Sequence, residues 1–477
     1  MDRDQFLKIQ TRRSFFEKCA GGIGITALAQ LLEQEGLGAT PELNPLAPKK
    51  PHFAPKAKNV IFMFMEGGPS QLDLFDPKPE LTRWNGQPLP PEMTKNMRLA
   101  FTKPNAAVLA SNRTFQHYGK SGIEFSDYIP HIGSCADDLC LVRSMYTDAF
   151  NHHPGQLLLF GGSIQVGRPT MGAWVLYGLG SESQNLPGFV VLGSGVGTSG
   201  GTSNWSSGFL PSTYQGVVLR SAGDPVLYLS NPPGVSSGMQ RGSLDVLKDL
   251  NEQHYNDTGD LEIASRIASY ELAFKMQMAA PELLDFSNES PETLAMYGVH
   301  QEPTHQFATN CLLARRMVER GVRFVMLTHA SWDDHTDLDR KLKKNCEIAD
   351  RPSAALIRDL NQRGLLENTL VVWGGEFGRT PIVEIRDPRD AHSAGRDHHP
   401  LAYSLFLAGG GVKGGRVIGK TDDLCMNIDE DKVHVHDLQA TLLHCLGLDH
   451  TRLTYRYLGR DFRLTDVAGN VVQKMLS

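Results

Sequence analysis

Short runs of consecutive apolar residues recur along this chain, and most of them end at a glycine or a polar turn. The first run covers residues 58–65 and leads into Glu66-Gly67-Gly68-Pro69. Similar runs lie at residues 139–143, 188–192, 323–327, 369–373 and 403–407. Runs of this length are typical of strands buried on both faces of a parallel sheet. The pattern therefore predicts a core built from these strands.

Several segments between the runs have apolar residues at helical spacing. Phe307, Cys311, Ala314 and Val318 follow this spacing, and residues 260–285 and 435–446 are further candidate helices. A fourth candidate lies after Pro352-Ser353. Strands that alternate with helices indicate a mostly parallel sheet with helices on both faces. We therefore predict a three-layer α/β/α sandwich.

Two further segments differ from the rest of the chain in composition. Residues 193–242 are rich in Gly, Ser and Pro and predict an irregular insertion, while residues 40–57, rich in Pro and Lys, are typical of a linker. The sequence shows no internal repeat and no separate second domain. Residues 58–477 are therefore predicted to form one domain.

The N-terminus is typical of an export signal. Arg12-Arg13 is followed by Phe15-Phe16 and then by a short run rich in Gly, Ala and Leu, which matches a twin-arginine signal over residues 1–39. The run is too short and glycine-rich for a good transmembrane helix, and none is predicted elsewhere. The signal predicts contact with the twin-arginine export machinery and a periplasmic or extracellular location. The weak cleavage site leaves open a signal retained as a membrane anchor, and the alternative is an amphipathic helix with a basic start.

Composition adds two exclusions. The chain has 47 basic and 53 acidic residues, a net charge of -6 and no basic stripe, so no nucleic-acid partner is expected. None of the seven cysteines forms a C-x-x-C pair, which argues against a zinc ribbon. Cys135 and Cys140 are close enough in sequence to bridge, although a domain of this size needs no disulfide.

Polar residues gather where the predicted strands end, and open parallel sheets place their ligands at the carboxyl ends of strands. Carboxylates and imidazoles hold zinc, calcium, magnesium or manganese. Each motif alone is weak, since an Asp-x-His pair is common in surface loops and Glu376 can also pair with Arg379. Their joint occurrence predicts a divalent metal site. The candidate ligands are Glu66, Asp333, His335, Glu376, His398 and His399.

Two arginines are candidates for holding an anionic substrate. Arg379 and Arg396 lie in the same loops as the candidate ligands, and a guanidinium binds phosphate or sulfate through a planar fork. The alternative is a salt bridge to Asp387, Asp390 or Asp397.

Together these motifs resemble the domain of unknown function 1501 family over nearly the whole chain after the linker. The resemblance is carried by eight stretches: Gly67-Gly68-Pro69-Ser70-Gln71 with Phe75-Asp76-Pro77-Lys78-Pro79, Arg143-Ser144-Met145-Tyr146-Thr147, Asn151-His152, Ala314-Arg315-Arg316, Trp332-Asp333-Asp334-His335, Glu376-Phe377-Gly378-Arg379-Thr380-Pro381, Gly395-Arg396-Asp397-His398 and His436-Asp437-Leu438.

That family in turn resembles the alkaline phosphatase superfamily, which includes sulfatases. The resemblance implies an alkaline phosphatase-like fold, with Glu66 at the position of the first metal-binding aspartate. Glu376 keeps a second carboxylate, but Phe377 replaces the ligand that follows it. The segment that supplies the nucleophile in those enzymes corresponds to residues 152–156, which contain no hydroxyl or thiol. His152 is therefore predicted as a nucleophile or a further ligand, with helix capping as the alternative.

Two functions follow as hypotheses. The first is an exported metal-dependent hydrolase of sulfate or phosphate esters, acting on an anionic small molecule or polysaccharide ester, with His152 and Arg379 in catalytic roles. The second is an exported, metal-stabilised binding protein of the same fold without turnover. The lack of a nucleophile favours the second, and the histidine and carboxylate set favours the first.

Overall fold

The structure is a computed structural model, and it describes residues 44–94, 99, 101–103, 105–195, 197–220, 231–386 and 394–477. The predicted signal at residues 1–39 and the start of the predicted linker lie outside the described residues. The described strands are β1 (Asn59–Met65), β2 (Phe115–Tyr118), β3 (Ile123–Ser126), β4 (Leu139–Tyr146), β5 (Phe189–Ser194), β6 (Val217–Leu219), β7 (Phe324–His329), β8 (Thr369–Gly374), β9 (Gly378–Glu384), β10 (Gly395–His399), β11 (Tyr403–Ala408), β12 (Arg416–Ile418), β13 (Lys420–Thr421), β14 (Ile428–Glu430), β15 (Val433–His434), β16 (Tyr455–Tyr457) and β17 (Arg460–Phe462).

The central sheet has nine strands in the order β12-β4-β11-β8-β1-β7-β5-β6, with β15 pairing β4 beside this path. β1 pairs in parallel with β7 and β8, and β5 pairs in parallel with β6 and β7. β11 runs antiparallel to both of its neighbours, β4 and β8. The prediction of a mostly parallel central sheet is therefore confirmed.

Both faces of the sheet are buried, as the continuous apolar runs predict. In β1, Ile61 and Met63 belong to one hydrophobic cluster, whereas Phe62 and Phe64 belong to a second cluster. Neighbouring residues of a strand point to opposite faces, so the two clusters are the cores above and below the sheet. Hiding both cores from water requires a layer of helices on each side.

The helices form these two layers. The first core includes residues of α10 and α11, and the second includes residues of α5, α6 and α12. The described helices are α1 (Gln71–Leu74), α2 (Glu80–Trp84), α3 (Pro91–Thr94), α4 (Pro130–Gly133), α5 (His152–Gly161), α6 (Met171–Leu179), α7 (Ser237–Thr258), α8 (Leu261–Leu284), α9 (Pro291–Tyr297), α10 (His305–Glu319), α11 (Leu338–Gln362) and α12 (Val435–Cys445). The three-layer α/β/α prediction is confirmed.

Two local features differ from the prediction. The segment predicted as irregular, residues 193–242, contributes β6 to the edge of the sheet and contains the start of α7. Pro352 lies inside α11 and does not mark the start of a helix, because the apolar face of α11 continues on both sides of it, from Leu342 to Leu356.

Cys135, Cys140 and the other four cysteines in the described part of the chain are buried free thiols, so no disulfide joins Cys135 to Cys140. Within the same part of the chain, the search for helices with the length and apolarity of a membrane span finds none.

Candidate metal centre

Four predicted site residues from three parts of the chain meet around one oxygen atom. Asp333 and His335 follow β7, His398 lies in β10 and His152 begins α5. Asp333 Oδ1 is 2.8 Å from His335 Nε2, 3.3 Å from His398 Nε2 and 3.2 Å from His152 Nε2. The structure therefore brings these four residues into one cluster, which we call the aspartate–histidine centre.

Two imidazoles of this centre point ring nitrogens at each other. His335 Nε2 and His398 Nε2 are 3.0 Å apart. His335 Nδ1 lies 2.5 Å from a carboxylate oxygen of Glu384, and His398 Nδ1 lies 2.7 Å from the Phe150 carbonyl. Both partners are acceptors, so each Nδ1 carries the ring proton and the two Nε2 atoms face each other with lone pairs in the neutral form.

A cation between these nitrogens relieves their repulsion, and the spacing suits a metal. Bonds of about 2.0–2.1 Å in a tetrahedron separate the ligand atoms by about 3.3 Å. The nitrogen–nitrogen distance of 3.0 Å and the distances of 2.8–3.3 Å to Asp333 Oδ1 are close to that value. An imidazole whose far nitrogen is held by a carboxylate or carbonyl is the usual arrangement in metal sites. The residues present therefore fit a divalent metal.

A second group of possible ligands adjoins the first through His152. His152 Nδ1 is 2.6 Å from Glu376 Oε1, and the Gln156 amide donates to Glu66 Oε1 at 2.9 Å and to Glu376 Oε1 at 3.4 Å. Burial and the neighbouring Glu376 raise the pKa of Glu66. Two buried carboxylates this close together also favour a cation, so Glu66, Glu376 and His152 form a second candidate group.

His152 joins the two groups because its ring nitrogens face different carboxylates. Burial lowers the pKa of His152, but the hydrogen bonds to Asp333 and Glu376 outweigh it and raise the pKa to about 9. Burial raises the pKa of Asp333, but the surrounding imidazoles and the Arg379 guanidinium hold it well below its usual range. The helix begins at His152 and its N-cap position is Asn151, so the His152 side chain is not the helix cap.

Gly67, which follows β1, permits the close packing of loops at this end of the sheet. Gly67 has φ +116, and a Cβ there would lie 2.4 Å from the backbone nitrogen of Asp333. Its own backbone nitrogen donates to the Glu376 carboxylate at 3.2 Å. A side chain at Gly67 would therefore push apart the segments that carry Asp333 and Glu376.

The two arginines predicted to hold substrate are buried in the protein interior. Arg379 is fully buried and pairs with Asp333 at 2.5 Å, while its other donors bond to the carbonyls of Gly67, Gly68 and Arg396. Its partner is Asp333, and among the described residues neither Glu376 nor Asp397 forms an ion pair with it. The other two predicted partners, Asp387 and Asp390, lie outside the described residues.

Arg396 is also fully buried, and its Nε lies 2.9 Å from Asp73 Oδ2. The Arg396 Nη1 donates to the Leu109 carbonyl at 2.8 Å. Within the described part of the chain, Arg396 thus pairs with Asp73 and not with Asp397. The structure leaves neither arginine with a free guanidinium for a substrate.

His399 lies apart from the aspartate–histidine centre, unlike its neighbour His398. Its Nε2 contacts the Cys425 carbonyl at 2.8 Å. Adjacent residues of a strand point to opposite sides, so β10 directs only one of the two histidines to Asp333. Of the two candidate ligands, His398 belongs to the centre and His399 does not.

Two residues that the sequence analysis missed complete the site. Glu384, at the end of β9, holds His335, and Gln156 joins Glu66 to Glu376. Gln156 follows His152 by one helical turn, and this spacing is a signal that could have identified it. Glu384 carries no such local signal, because its place depends on the pairing of β9 with β10.

Comparison with known proteins places the chain in a family without an assigned activity. The model of a family described as a protein of unknown function (DUF1501) matches residues 57–476. No curated protein matches.

Similar solved structures are found among phosphatases, sulfatases and related enzymes. A mutant TAB5 alkaline phosphatase with Mg bound is 10% identical, with a TM-score of 0.31, over 75% of this chain and 92% of that chain. The PsFucS1 sulfatase from Pseudoalteromonas sp. is 12% identical, with a TM-score of 0.34, over 89% of this chain and 70% of that chain. The lipoteichoic acid synthase LtaP from Listeria monocytogenes is 9% identical, with a TM-score of 0.35, over 88% and 78%.

Proposed function

Because this chain belongs to the DUF1501 family, whose model covers residues 57–476, and carries a candidate metal centre, we propose that it is an exported metal-dependent hydrolase of phosphate or sulfate esters. The single observation that carries the proposal is the convergence of His335 Nε2 and His398 Nε2 on Asp333 Oδ1. Their protons are fixed on the far nitrogens, so both lone pairs point to one position.

Asp333, His335 and His398 would hold the metal, and His152 Nε2 is close enough to be a fourth ligand. A divalent metal in such a site supplies Lewis-acid activation of an ester and lowers the pKa of a bound water. Glu384 and the Phe150 carbonyl fix the orientation of the two imidazoles. These residues hold the site in one geometry before a substrate arrives, which is the usual requirement for catalysis.

His152 is positioned either to donate a proton or to bind a metal. Glu376 holds its Nδ1 at 2.6 Å, which directs Nε2 toward the aspartate–histidine centre. When both nitrogens carry protons the ring is a proton donor for a leaving group, and when Nε2 is free it is a ligand. Attack on substrate by His152 requires the same free Nε2, which then faces Asp333 at 3.2 Å.

The second candidate function is a metal-stabilised binding protein without turnover. It is favoured by residues 152–156, because that segment offers no hydroxyl or thiol for a covalent intermediate. A hydrolase that uses a metal-bound water needs no such group. Turnover therefore separates the two functions, whereas metal binding does not.

The first experiment loads the purified protein with zinc, manganese, magnesium or calcium and measures bound metal together with hydrolysis of 4-nitrophenyl phosphate and 4-nitrophenyl sulfate. We expect bound metal and turnover in the wild type, and neither in Asp333→Asn. The matched control is Asp461→Asn, an exposed aspartate paired with Arg456 in the β16–β17 hairpin. Metal uptake without turnover supports the binding protein, and no uptake overturns both functions.

A second experiment assigns His152. If His152 is a ligand or acts on a proton, His152→Ala abolishes metal binding or turnover. Full metal occupancy with unchanged turnover would remove His152 from the site. The neighbouring His153→Ala is the matched control, because His153 is exposed on the same turn of α5.

Export is tested separately from chemistry. Changing Arg12→Lys together with Arg13→Lys should strand the precursor in the cytoplasm, because the transport receptor reads the guanidinium pair. Unchanged export of the double variant would contradict the twin-arginine part of the proposal.

A further inference from the structure

One exposed arginine lies beside the aspartate–histidine centre, in contrast to the two buried arginines. Arg386 follows β9, and about half of its side chain is exposed. Its Nε lies 2.7 Å from Glu384 Oε1, while the other oxygen of the same carboxylate lies 2.5 Å from His335 Nδ1. One carboxylate therefore ties the Arg386 guanidinium to a candidate metal ligand.

An aromatic ring supports this guanidinium from a second side. The Arg386 guanidinium carbon is 5.2 Å from the centre of the Phe101 ring, a cation–π distance. The Phe101 ring also packs edge to face against His335 and His398, at centroid distances of 5.1 Å and 5.7 Å. Phe101 thus spans the rim of the site from the metal-binding imidazoles to Arg386.

The backbone that carries Phe101 is itself anchored. The Asp397 carboxylate accepts hydrogen bonds from the backbone nitrogens of Phe101 at 2.8 Å and Thr102 at 2.9 Å. Asp397 is the neighbour of His398, so the support of Arg386 and the candidate metal ligand share one strand. Arg386 is consequently held at a defined place, unlike an arginine that moves freely on the surface.

The free part of the guanidinium points to an anionic ligand. Among the described residues, Arg386 hydrogen-bonds through Nε alone, which leaves Nη1 and Nη2 without a protein partner there. Two free amino groups on one planar guanidinium match two oxygens of a sulfate, phosphate or carboxylate. The Glu384 carboxylate and the His335 ring separate this position from the metal-binding nitrogens, so it holds a different group from the ester being cleaved.

We propose that Arg386 binds a second anionic group of the substrate, next to the ester held at the metal centre. The protein then prefers polyanionic esters, such as polysaccharides with repeated sulfate groups, over esters with one charged group. This inference rests on the proposed function, because it takes the aspartate–histidine centre as the place of the first ester. The anion-binding role predicted for the buried Arg379 and Arg396 is thus assigned to Arg386, which a substrate can reach.

The test compares chondroitin disaccharides that carry one or two sulfates, with binding to metal-free and metal-loaded protein measured by titration calorimetry. We expect the wild type to bind the disulfated disaccharide more tightly. Arg386→Gln should lose about tenfold in affinity for the disulfated compound, since hydrogen bonds to a charged group are each worth roughly that factor. Binding of the monosulfated compound should change much less, and Arg386→Lys should keep part of the preference.

Arg456→Gln is the matched control, an exposed arginine in the β16–β17 hairpin that should leave both affinities unchanged. Equal losses for both disaccharides in Arg386→Gln, or no loss, would overturn the inference, as would a wild type without the preference. A preference that persists in protein that hydrolyses no ester would overturn the hydrolase and leave the polyanion site standing. The two failures are therefore distinguishable.

Discussion

Two clusters of charged residues in this protein differ in how their polar atoms are paired. The first joins α10 and α11, where Arg315 contacts Glu289 at 2.5 Å, Glu319 at 2.7 Å and Asp359 at 3.0 Å. The neighbouring Arg316 also contacts Glu289, at 3.1 Å. Positive and negative groups alternate throughout this cluster, and all three nitrogens of the Arg315 guanidinium face carboxylate oxygens.

The aspartate–histidine centre does not alternate in this way. Three imidazoles and the Arg379 guanidinium surround one oxygen of Asp333, and two of the ring nitrogens face each other at 3.0 Å. In the arginine cluster each guanidinium lies against carboxylates, whereas in the centre two imidazole nitrogens face each other. Both clusters are rich in charged groups, so it is the pairing that separates a structural cluster from a binding site.

The largest expected effect is on the stability of the arginine cluster. Arg315→Met should lower the free energy of unfolding by about 3–5 kcal/mol, because it removes the buried guanidinium that pairs with Glu289, Glu319 and Asp359 and leaves those carboxylates with only Arg316 and Arg363 beside them. Chemical denaturation measures the loss, and bound metal should stay at the wild-type level in the folded protein. Arg340→Met, at an arginine with an exposed side chain on α11, is the control and should cost little. A small effect of Arg315→Met would show that this cluster is not structural.

The opposite behaviour is expected at the centre. Asp333→Asn should reduce metal affinity at least about 100-fold, and with it the stabilisation of about 2.7 kcal/mol that a metal at 100 times its Kd confers. Thermal melting with and without metal measures this difference. If added metal stabilises the variant as much as the wild type, the metal does not bind at Asp333.

A smaller effect is expected from the residue that holds His335. Glu384→Gln should weaken metal binding by about 10–100-fold, because the amide no longer fixes the imidazole as a carboxylate does. Competition with a chromophoric chelator gives the affinity, and Glu124→Gln on β3 is the control. Unchanged affinity in Glu384→Gln would mean that His335 is not a ligand.

The smallest effect on stability is expected from the exposed Phe101. Phe101→Ala should change the free energy of unfolding by no more than about 1 kcal/mol, because 60% of the residue is exposed. Metal should exchange faster, since the ring no longer covers His335 and His398. Stopped-flow transfer of metal to a chelator measures the rate, and a rate equal to that of the wild type would show that Phe101 does not cover the centre.

The sheet was predictable from sequence because its strands are buried on both faces. The run at residues 58–65 becomes β1 (Asn59–Met65), and the run at residues 403–407 becomes β11 (Tyr403–Ala408). The sequence did not reveal that β11 runs antiparallel, since direction depends on where the connecting segments cross. The edge strand β6 was missed because it has only three residues within a glycine-rich segment.

The candidate ligands were predictable where they follow a strand directly, as Asp333 and Glu376 do. The roles of the arginines were not, because burial and pairing depend on distant residues. Arg396 pairs with Asp73, which lies 323 residues earlier in the chain. Likewise, no local sequence signal distinguishes His398 from His399. They differ because the pleat of β10 directs their side chains to different sides of the strand.

The centre draws its parts from segments that are far apart in sequence, and this has a consequence for folding. His152 and its partner Glu376 are separated by 224 residues. Contacts of such long range close large loops and therefore form late and slowly. A chain interrupted before β10 has only part of the centre, so tight metal uptake should report that the last segments have docked.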